Sequence, residues 1–173
     1  MPDAAALDAI ADEVRGELGE DAVIGVSLEQ GQACLQVAPA RVRDVLGFLK
    51  TAPQREFTFL ASVHGCDYLP AAPRLGVHYE LLNMSRVERL RVRTRVEVDA
   101  ASVPSVTDLF PTAAFQEREV FDMFGVEFEG HPDLRRILMP EDYEGFPQRR
   151  DFPVGGEPVM FTHNEPKGPG WYE

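Results

Sequence analysis

"RLRVRTRVEV", residues 89–98, is the stretch that most clearly indicates the fold. Apolar residues occupy every second position except that of Thr94, and they are Leu90, Val92, Val96 and Val98. Charged residues fill the positions between them, namely Arg91, Arg93, Arg95 and Glu97. This alternation predicts a strand at 88–98 with one apolar and one basic face. The basic face indicates either an anion site or cross-strand pairing with acids such as Glu80, and pairing is the favoured interpretation.

The sequence on either side of this strand predicts helices and strands in a regular order. Asp3 is a plausible cap for a first helix that ends before Gly19, and Pro39 suits the first turn of a second helix that ends before Pro53. Further elements are predicted as strands at 22–29, 32–38, 56–64 and 75–83 and a helix at 112–124. This order predicts an α+β fold, with a mixed, mostly antiparallel sheet and helices packed on one face.

The composition of the chain changes at Gly125. Seven of the 14 prolines and seven of the 14 glycines fall in residues 125–173. We therefore expect a globular domain at 1–125, followed by a long extended C-terminal tail at 126–173. The tail keeps many apolar anchors, which disordered segments generally lack: Phe128, Leu134, Ile137, Leu138, Met139, Tyr143, Phe146, Phe152, Val154, Met160, Phe161, Trp171 and Tyr172. Ordering the tail costs roughly 1 kcal/mol per residue in backbone entropy, so we expect it to wrap around a partner.

Charge and hydropathy exclude several classes of partner. The net charge is −12, and Lys50 and Lys167 are the only lysines, so no broad basic surface is expected for nucleic acid. The first twenty residues are acidic, whereas a targeting segment would be basic. No apolar run approaches the roughly 18 residues of a membrane span. We expect a cytosolic chain without a membrane span.

The two cysteines, Cys34 and Cys66, exclude an iron–sulfur cluster held by this chain alone, because such a cluster takes four thiolates. A single disulfide between them is an alternative, but free buried thiols are the expected state in a cytosolic protein.

Glu117 is the first candidate site residue, because it falls within the apolar stripe of the helix at 112–124. A desolvated carboxylate can act as a general acid or base. The favoured interpretation is structural, with Glu117 paired to Arg135 or Arg136. Glu119 and Asp122 are expected on the opposite, partner-facing side of the helix, with Phe115 exposed among them.

His131 is the second candidate. The four histidines are scattered, and none has the helical spacing or cysteine neighbours typical of a metal ligand. Because His131 precedes Pro132, it is expected to stabilise a turn by hydrogen bonding. A freestanding acid/base enzyme that uses Glu117 and His131 is the alternative function from a different class.

The stretch "EREVFDMFGVEFEGHPDLRRIL", residues 117–138, resembles the signature of the 30 kDa-type subunit of respiratory complex I, the proton-pumping NADH:quinone oxidoreductase. The matching positions are Glu117, Arg118, Glu119, Asp122, Met123, Phe124, His131, Arg135, Ile137 and Leu138. The resemblance continues through "MPEDYEGFPQRRDFP" at 139–153 and, more loosely, over residues 1–155.

This resemblance implies a non-redox structural and assembly subunit of the hydrophilic arm, at the cytoplasmic side of the bacterial cell membrane. It implies no cofactor and no catalytic residue in this chain, because FMN, iron–sulfur clusters and quinone belong to partner subunits. The implied partners are chiefly the D-type subunit of the quinone site, and also the cluster-bearing B-type and I-type subunits. An equivalent subunit of a complex I-like membrane-bound hydrogenase, or of an oxidoreductase with another electron donor, is the alternative.

The same resemblance implies that the signature residues serve as scaffold and docking surface. The expected interface residues are Glu117, Arg118, Glu119, Asp122, His131, Arg135, Arg136, Arg149, Arg150 and Asp151.

Overall fold

The computed structural model describes residues 3–29 and 31–153. Within these ranges the helices are α1 Ala4–Leu18, α2 Val42–Thr51 and α3 Ala113–Phe124. The strands are β1 Val23–Glu29, β2 Gln32–Val37, β3 Phe59–Asp67, β4 Leu75–Asn83, β5 Glu88–Val96, β6 Ser102–Pro104 and β7 Glu127–Glu129. Two 3-10 turns lie at Pro39–Arg41 and Val98–Ala100.

The main sheet has five strands in the order β1-β2-β5-β4-β3. Its neighbours are antiparallel except for β2 and β5, which run parallel. The predicted mixed, mostly antiparallel sheet is therefore confirmed. A second, two-stranded sheet pairs β6 with β7 in parallel, and neither of these short strands was predicted.

The helices pack on one face of the main sheet. The residues facing them on β4 and β5 alternate along each strand and are buried: Leu75, Val77, Tyr79, Leu81, Leu90, Val92, Thr94 and Val96. Helix α1 contacts β1 and β2, whereas α3 contacts β3 at the other end of the sheet. The ring of Phe124 in α3 lies so close to Gly65 that a Cβ at this glycine would overlap it. The predicted one-sided packing is confirmed.

The element ends follow local chemistry. The Asp3 side chain caps α1 by accepting a hydrogen bond from Ala6 N at 2.8 Å, as predicted. Strand β3 begins at Phe59 instead of residue 56, because Glu56 has a positive φ of 45° and Phe57 is already buried in the core. The predicted strand at 88–98 ends at Val96, before the second 3-10 turn.

The start of the tail belongs to the core of this chain. Phe128, expected to anchor on a partner, is 2% exposed and packs with Val126 against the chain's own core. The reason is the pairing of β7 with β6, which the sequence did not reveal because three-residue strands carry too little periodicity. The division of the chain at residue 125 stays a prediction.

Residues 130–153 contain no further helix or strand, in agreement with the predicted extended tail. The anchors Val154, Met160, Phe161, Trp171 and Tyr172 lie outside the described residues. Across the described ranges, none of the helices is long and apolar enough to cross a membrane. Both cysteines are free thiols, Cys34 buried and Cys66 half-buried.

Candidate interaction site at helix α3

Helix α3 carries two buried carboxylates that point into different surroundings. The helix ends at Phe124, where Gly125 caps it: the N–H of Gly125 donates to Phe121 O at 2.8 Å, and its left-handed φ of 72° turns the chain out of the helix. Glu117 and Asp122 are both 0% exposed. Each therefore needs hydrogen-bond donors to offset the loss of water.

Glu117 is bound by the segment that precedes the helix. Its Oε2 accepts a hydrogen bond from Ser105 Oγ at 2.7 Å, and its Oε1 accepts one from Val106 N at 2.8 Å. Burial raises the pKa of Glu117, and these two hydrogen bonds only partly oppose the rise. The predicted pairing with Arg135 or Arg136 is wrong, because the segment that precedes α3 already supplies hydrogen-bond donors to this carboxylate.

Asp122 holds the loop that follows β7. Its Oδ2 accepts three backbone N–H groups in succession, from Ile137 at 3.0 Å, Leu138 at 2.7 Å and Met139 at 2.8 Å. Its Oδ1 accepts a hydrogen bond from Arg136 Nη1 at 2.6 Å. Burial raises the pKa of Asp122, but these four donors outweigh it and keep the pKa below its usual range.

The prediction that Asp122 is exposed on a partner-facing side is wrong. A helical projection treats every position outside the apolar stripe as solvent-facing, whereas here the chain returns over the helix and covers Asp122 with its own backbone. Phe115, by contrast, is 67% exposed, and Glu119 is exposed too, as predicted. We call residues 133–139, which close over Asp122, the signature loop.

Two arginines complete the attachment of the signature loop. Arg118 of α3 donates to the carbonyl oxygens of Arg135 at 3.1 Å and Arg136 at 3.0 Å. Arg136 also donates to Gly145 O at 2.9 Å. The guanidinium of Arg118 lies 5.9 Å from the centre of the Phe115 ring, so this arginine connects the exposed ring with the loop.

Arg136 is further enclosed by aromatic rings. Its guanidinium lies 5.7 Å from the ring of Tyr143 and 5.5 Å from that of Phe146. Arg135, next to it, is exposed and forms an ion pair with Asp133 at 3.0 Å. Neighbouring arginines thus differ: one is built into the fold and the other lies at the surface.

His131 stabilises the turn that leads into the signature loop, as predicted. Its Nδ1 accepts a hydrogen bond from Asp133 N at 3.0 Å. Its Nε2 lies 3.0 Å from Ala114 O, so this nitrogen carries the proton and donates. Both ring nitrogens are therefore occupied by protein partners.

The last predicted interface residues form a second attachment, between the tail and the loop after β3. Arg149 donates to Phe124 O at 2.7 Å, and Arg150 N donates to Asp67 Oδ2 at 2.7 Å. Arg74 joins the two sides, because it forms ion pairs with Asp67 at 2.6 Å and with Asp151 at 2.5 Å. The hydrogen bond from Arg74 holds the pKa of Asp67 well below its usual range.

The sequence did not identify Asp67, Arg74 or Ser105 as members of this site. Asp67 and Arg74 flank the proline-containing loop "YLPAAP", residues 68–73, and only the folded loop brings them together. Ser105 lies twelve positions before Glu117, and only the folded segment between them brings the two side chains together.

The signature loop exposes apolar side chains. Leu138 is 59% exposed and Ile137 36%, although their backbone N–H groups are fixed by Asp122. Together with Phe115 they form what we call the apolar patch. A rigid backbone that presents exposed apolar side chains is typical of a protein-binding surface. Among the described residues, no group of three or more His, Cys, Asp or Glu side chains could hold a metal ion.

Known proteins are similar to this chain in sequence and in fold. The profile of the family described as "Respiratory-chain NADH dehydrogenase, 30 Kd subunit" matches residues 35–158. The C subunit of NADH-quinone oxidoreductase from Roseiflexus sp. (strain RS-1) is 46% identical over 145 residues, which is 84% of this chain and 83% of that protein. The C subunit from Herpetosiphon aurantiacus is 48% identical over 139 residues, which is 79% of this chain and 80% of its own length.

Two solved structures are also similar. A trypsin-resistant fragment of Nqo5 is 33% identical with a TM-score of 0.61, over 74% of this chain and 98% of the fragment. A chain from the membrane-bound sulfane sulfur reductase, an archaeal respiratory membrane complex, is 25% identical with a TM-score of 0.66, over 85% of both chains.

Proposed function

Because this chain belongs to the family of the 30 kDa subunit of respiratory-chain NADH dehydrogenase, we propose that it is a non-redox structural and assembly subunit of complex I. In this role it supports electron transfer from NADH to quinone, coupled to proton translocation, without carrying out either step itself. The enzyme activity belongs to the whole assembly.

The observation that carries this proposal is the attachment of the signature loop to Asp122. The carboxylate fixes the backbone of residues 137–139 from inside the fold, while the side chains of Ile137 and Leu138 stay exposed. Acids and arginines that define the signature are thus used to shape a surface. No bond-making step is needed to explain why they occur together.

The proposed partners are chiefly the D-type subunit, with the B-type and I-type subunits nearby, in the hydrophilic arm at the cytoplasmic side of the bacterial membrane. FMN, iron–sulfur clusters and quinone would be bound by those and other subunits. The names of the relatives support membership of a quinone-reducing complex. The place of the chain in the hydrophilic arm and the identity of its partners are part of our proposal.

The apolar patch is tested by replacing Phe115 and Leu138 with serine in the assembled complex. Each replacement removes an exposed apolar side chain without disturbing a hydrogen bond of the attachment. We expect the double variant to melt like the wild-type chain but to be incorporated into the complex at a yield at least about tenfold lower, since burying two such side chains contributes about 3 kcal/mol or more. Incorporation is measured on native gels and by mass spectrometry of the purified complex.

Met84→Ser is the matched control, because Met84 is also 67% exposed but lies in the turn between β4 and β5. Normal incorporation of the double variant would count against the apolar patch as a docking surface.

A second candidate function is supported by the similarity to the sulfane sulfur reductase chain. It is the equivalent subunit of a related membrane complex with another electron donor, such as a complex I-like hydrogenase. Co-purification with an NADH-oxidising flavin module supports complex I, whereas a nickel–iron partner supports this alternative.

The freestanding acid/base enzyme receives less support from the geometry. Glu117 is 0% exposed and already accepts two hydrogen bonds, and both ring nitrogens of His131 are occupied. Such an enzyme would need substrate to reach both groups.

A further inference from the structure

The main sheet has a second face that none of the described helices covers. Along β4 and β5 the residues that alternate with the core positions point to this face. On β5 they are the four arginines Arg89, Arg91, Arg93 and Arg95. We call this side of the sheet, with the residues of β4 that pair with these arginines, the basic face. It lies on the opposite side of the sheet from α3 and the apolar patch.

The basic face reverses the charge of the chain. Its four arginines are opposed by one carboxylate on the same face of strands β2 to β5, Glu80, which pairs with Arg91 as predicted. Arginine therefore dominates the charge of this face on strands β2 to β5, in a chain with a net charge of −12. Arg89 is exposed and forms no ion pair with any described residue. Such a local reversal of sign attracts an anionic partner.

Planar groups are stacked across the basic face. The guanidinium of Arg95 lies 4.3 Å from the centre of the Tyr68 ring. Tyr68 stacks on His78 at 6.1 Å, and His78 stacks on His64 at 5.0 Å with only 14° between the ring planes. This stack requires Gly76, because a Cβ there would lie 2.6 Å from the Tyr68 ring. Holding an arginine in a stack reduces the conformational entropy that it loses on binding.

The positive charge of this face comes from the arginines and not from the histidines. His78 is 5% exposed, and burial, followed by the neighbouring His64 and arginines, lowers its pKa to about 3. Burial also lowers the pKa of His64, against the opposing effect of Glu80. The face therefore keeps its charge across the physiological pH range.

A groove lies within the basic face beside the stack. It has a volume of about 300 Å³ and polar lining groups of several kinds, from Gln32, Ser62, His64, Glu80, Arg89 and Arg91. Amide, hydroxyl and guanidinium groups can all donate hydrogen bonds to carboxylate oxygens. Arg91 is already paired with Glu80, so the arginine of the groove that suits bidentate recognition of a carboxylate is Arg89.

We propose that the basic face is a docking surface for an acidic, extended segment of another subunit of the complex. This inference rests on the proposed function, which supplies polypeptide neighbours. A nucleic acid or an anionic membrane would meet the many acids elsewhere on the chain, whereas a single peptide segment can follow the face and remain within the roughly 8 to 10 Å over which charges act in physiological salt.

The segment is identified in the assembled complex. A photo-crosslinking residue replaces Gln32, which is exposed at the groove and belongs to neither the stack nor the arginines. The expected product joins this chain to a peptide of another subunit that contains several Asp or Glu residues. A crosslink to a peptide without acids, to lipid only, or to no other molecule would overturn the proposal.

The charge is tested with the purified full chain and a peptide of ten glutamates. Binding is expected to weaken as salt rises from 50 to about 200 mM, and to fall at least about tenfold in Arg89→Glu/Arg95→Glu. Arg86→Glu, an identical charge change in the exposed turn between β4 and β5, is the matched control and should retain binding. Arg89→Glu alone, at an exposed position, guards against loss of folding and should weaken binding severalfold.

Equal binding by the double variant and by Arg86→Glu, or binding to anionic phosphatidylglycerol vesicles but not to the peptide, would overturn the proposal. The apolar-patch variant distinguishes a failure of this inference from a failure of the proposed function. If Phe115→Ser/Leu138→Ser prevents incorporation while the basic-face variants behave normally, only the docking of an acidic segment fails. If the apolar-patch variant incorporates normally, the proposed function is weakened whatever the basic face binds.

Discussion

Glu117 and Asp122 show how the same burial gives opposite results for two carboxylates of one helix. Both are 0% exposed, but Glu117 has two hydrogen-bond donors and Asp122 has four, one of them an arginine. The pKa of Glu117 is therefore raised and that of Asp122 lowered. Donor number and charge, more than burial, decide which form each group takes.

Replacing Asp122 with alanine should release the signature loop. The change leaves Arg136 and three N–H groups without their acceptor, so we expect unfolding to become easier by about 2 to 4 kcal/mol. Urea unfolding measures this loss. Glu119→Ala, an exposed acid of the same helix, is the control and should change the free energy of unfolding by less than about 0.5 kcal/mol. Equal effects of the two variants would contradict the role of Asp122.

Glu117→Ala removes the acceptor of Ser105 Oγ and Val106 N and should lower the free energy of unfolding by about 2 to 4 kcal/mol.

Glu117→Gln instead tests the raised pKa of the carboxyl group. An acid whose pKa is higher in the folded state loses stability as pH rises from its unfolded value, near 4.5, through the folded value. We therefore expect the stability of the wild type relative to Glu117→Gln to fall over this window and then level off.

Urea unfolding between pH 4 and 8 measures this difference. Glu119→Gln, on the exposed side of α3, is the control. A constant difference between wild type and Glu117→Gln across the whole range would show that the carboxyl group titrates alike in the folded and unfolded chain.

At the residue scale the sequence predicts burial better than partners. The position of Glu117 in the apolar stripe correctly predicted a buried carboxylate, because helical periodicity is a local property. Its partner Ser105 and the burial of Asp122 depend on where irregular chain segments return, and no local periodicity encodes that. The turn role of His131 was predictable from the proline that follows it.

At the scale of elements, the packing of α3 against β3 requires a residue without a side chain at position 65. A Cβ at Gly65 would overlap the Phe124 ring, so Gly65→Ala should push α3 away from the sheet and cost about 1 to 3 kcal/mol. Thermal melting followed by circular dichroism measures the loss.

Gly16→Ala is the matched control for this substitution. A Cβ at Gly16, in α1, would have no neighbour within 4 Å, and alanine favours the helix. We expect stabilisation by about 0.5 to 1 kcal/mol. If both alanine variants shifted the melting temperature in the same direction, the close contact between Gly65 and Phe124 would be refuted.

The long elements were predictable, and the short ones were not. The three helices and five main strands are long enough to carry a recognisable pattern of apolar residues, which is clearest in the arginine-rich stretch of β5. Strands β6 and β7 span three residues each, too few for a period to emerge. The parallel neighbours β2 and β5 could not be predicted either, because strand order depends on contacts between distant parts of the chain.

At the scale of the whole molecule, the described fold divides into a core of regular elements and an irregular segment at 130–153 held by side-chain contacts. Trypsin can cut after arginines in this segment, and Arg135 is 61% exposed. We expect limited digestion to cut there first and to leave a stable fragment that contains all seven described strands. Mass spectrometry of the digest identifies the cut.

Asp122→Ala should speed this cut, because it frees the backbone on the C-terminal side of Arg135. First cleavage within the elements of the main sheet, or an unchanged rate in the variant, would contradict this division of the molecule.

The place of β5 between β2 and β4 also has a consequence for synthesis on the ribosome. Strand β2 ends at Val37, whereas β5 begins at Glu88, so the β1–β2 hairpin is made well before its parallel neighbour exists. At about 5 to 20 residues per second, the nascent chain carries the open edge of β2 for roughly 3 to 10 seconds. During that interval the edge is available to other newborn chains, and translation speed between the two strands influences the yield of folded protein.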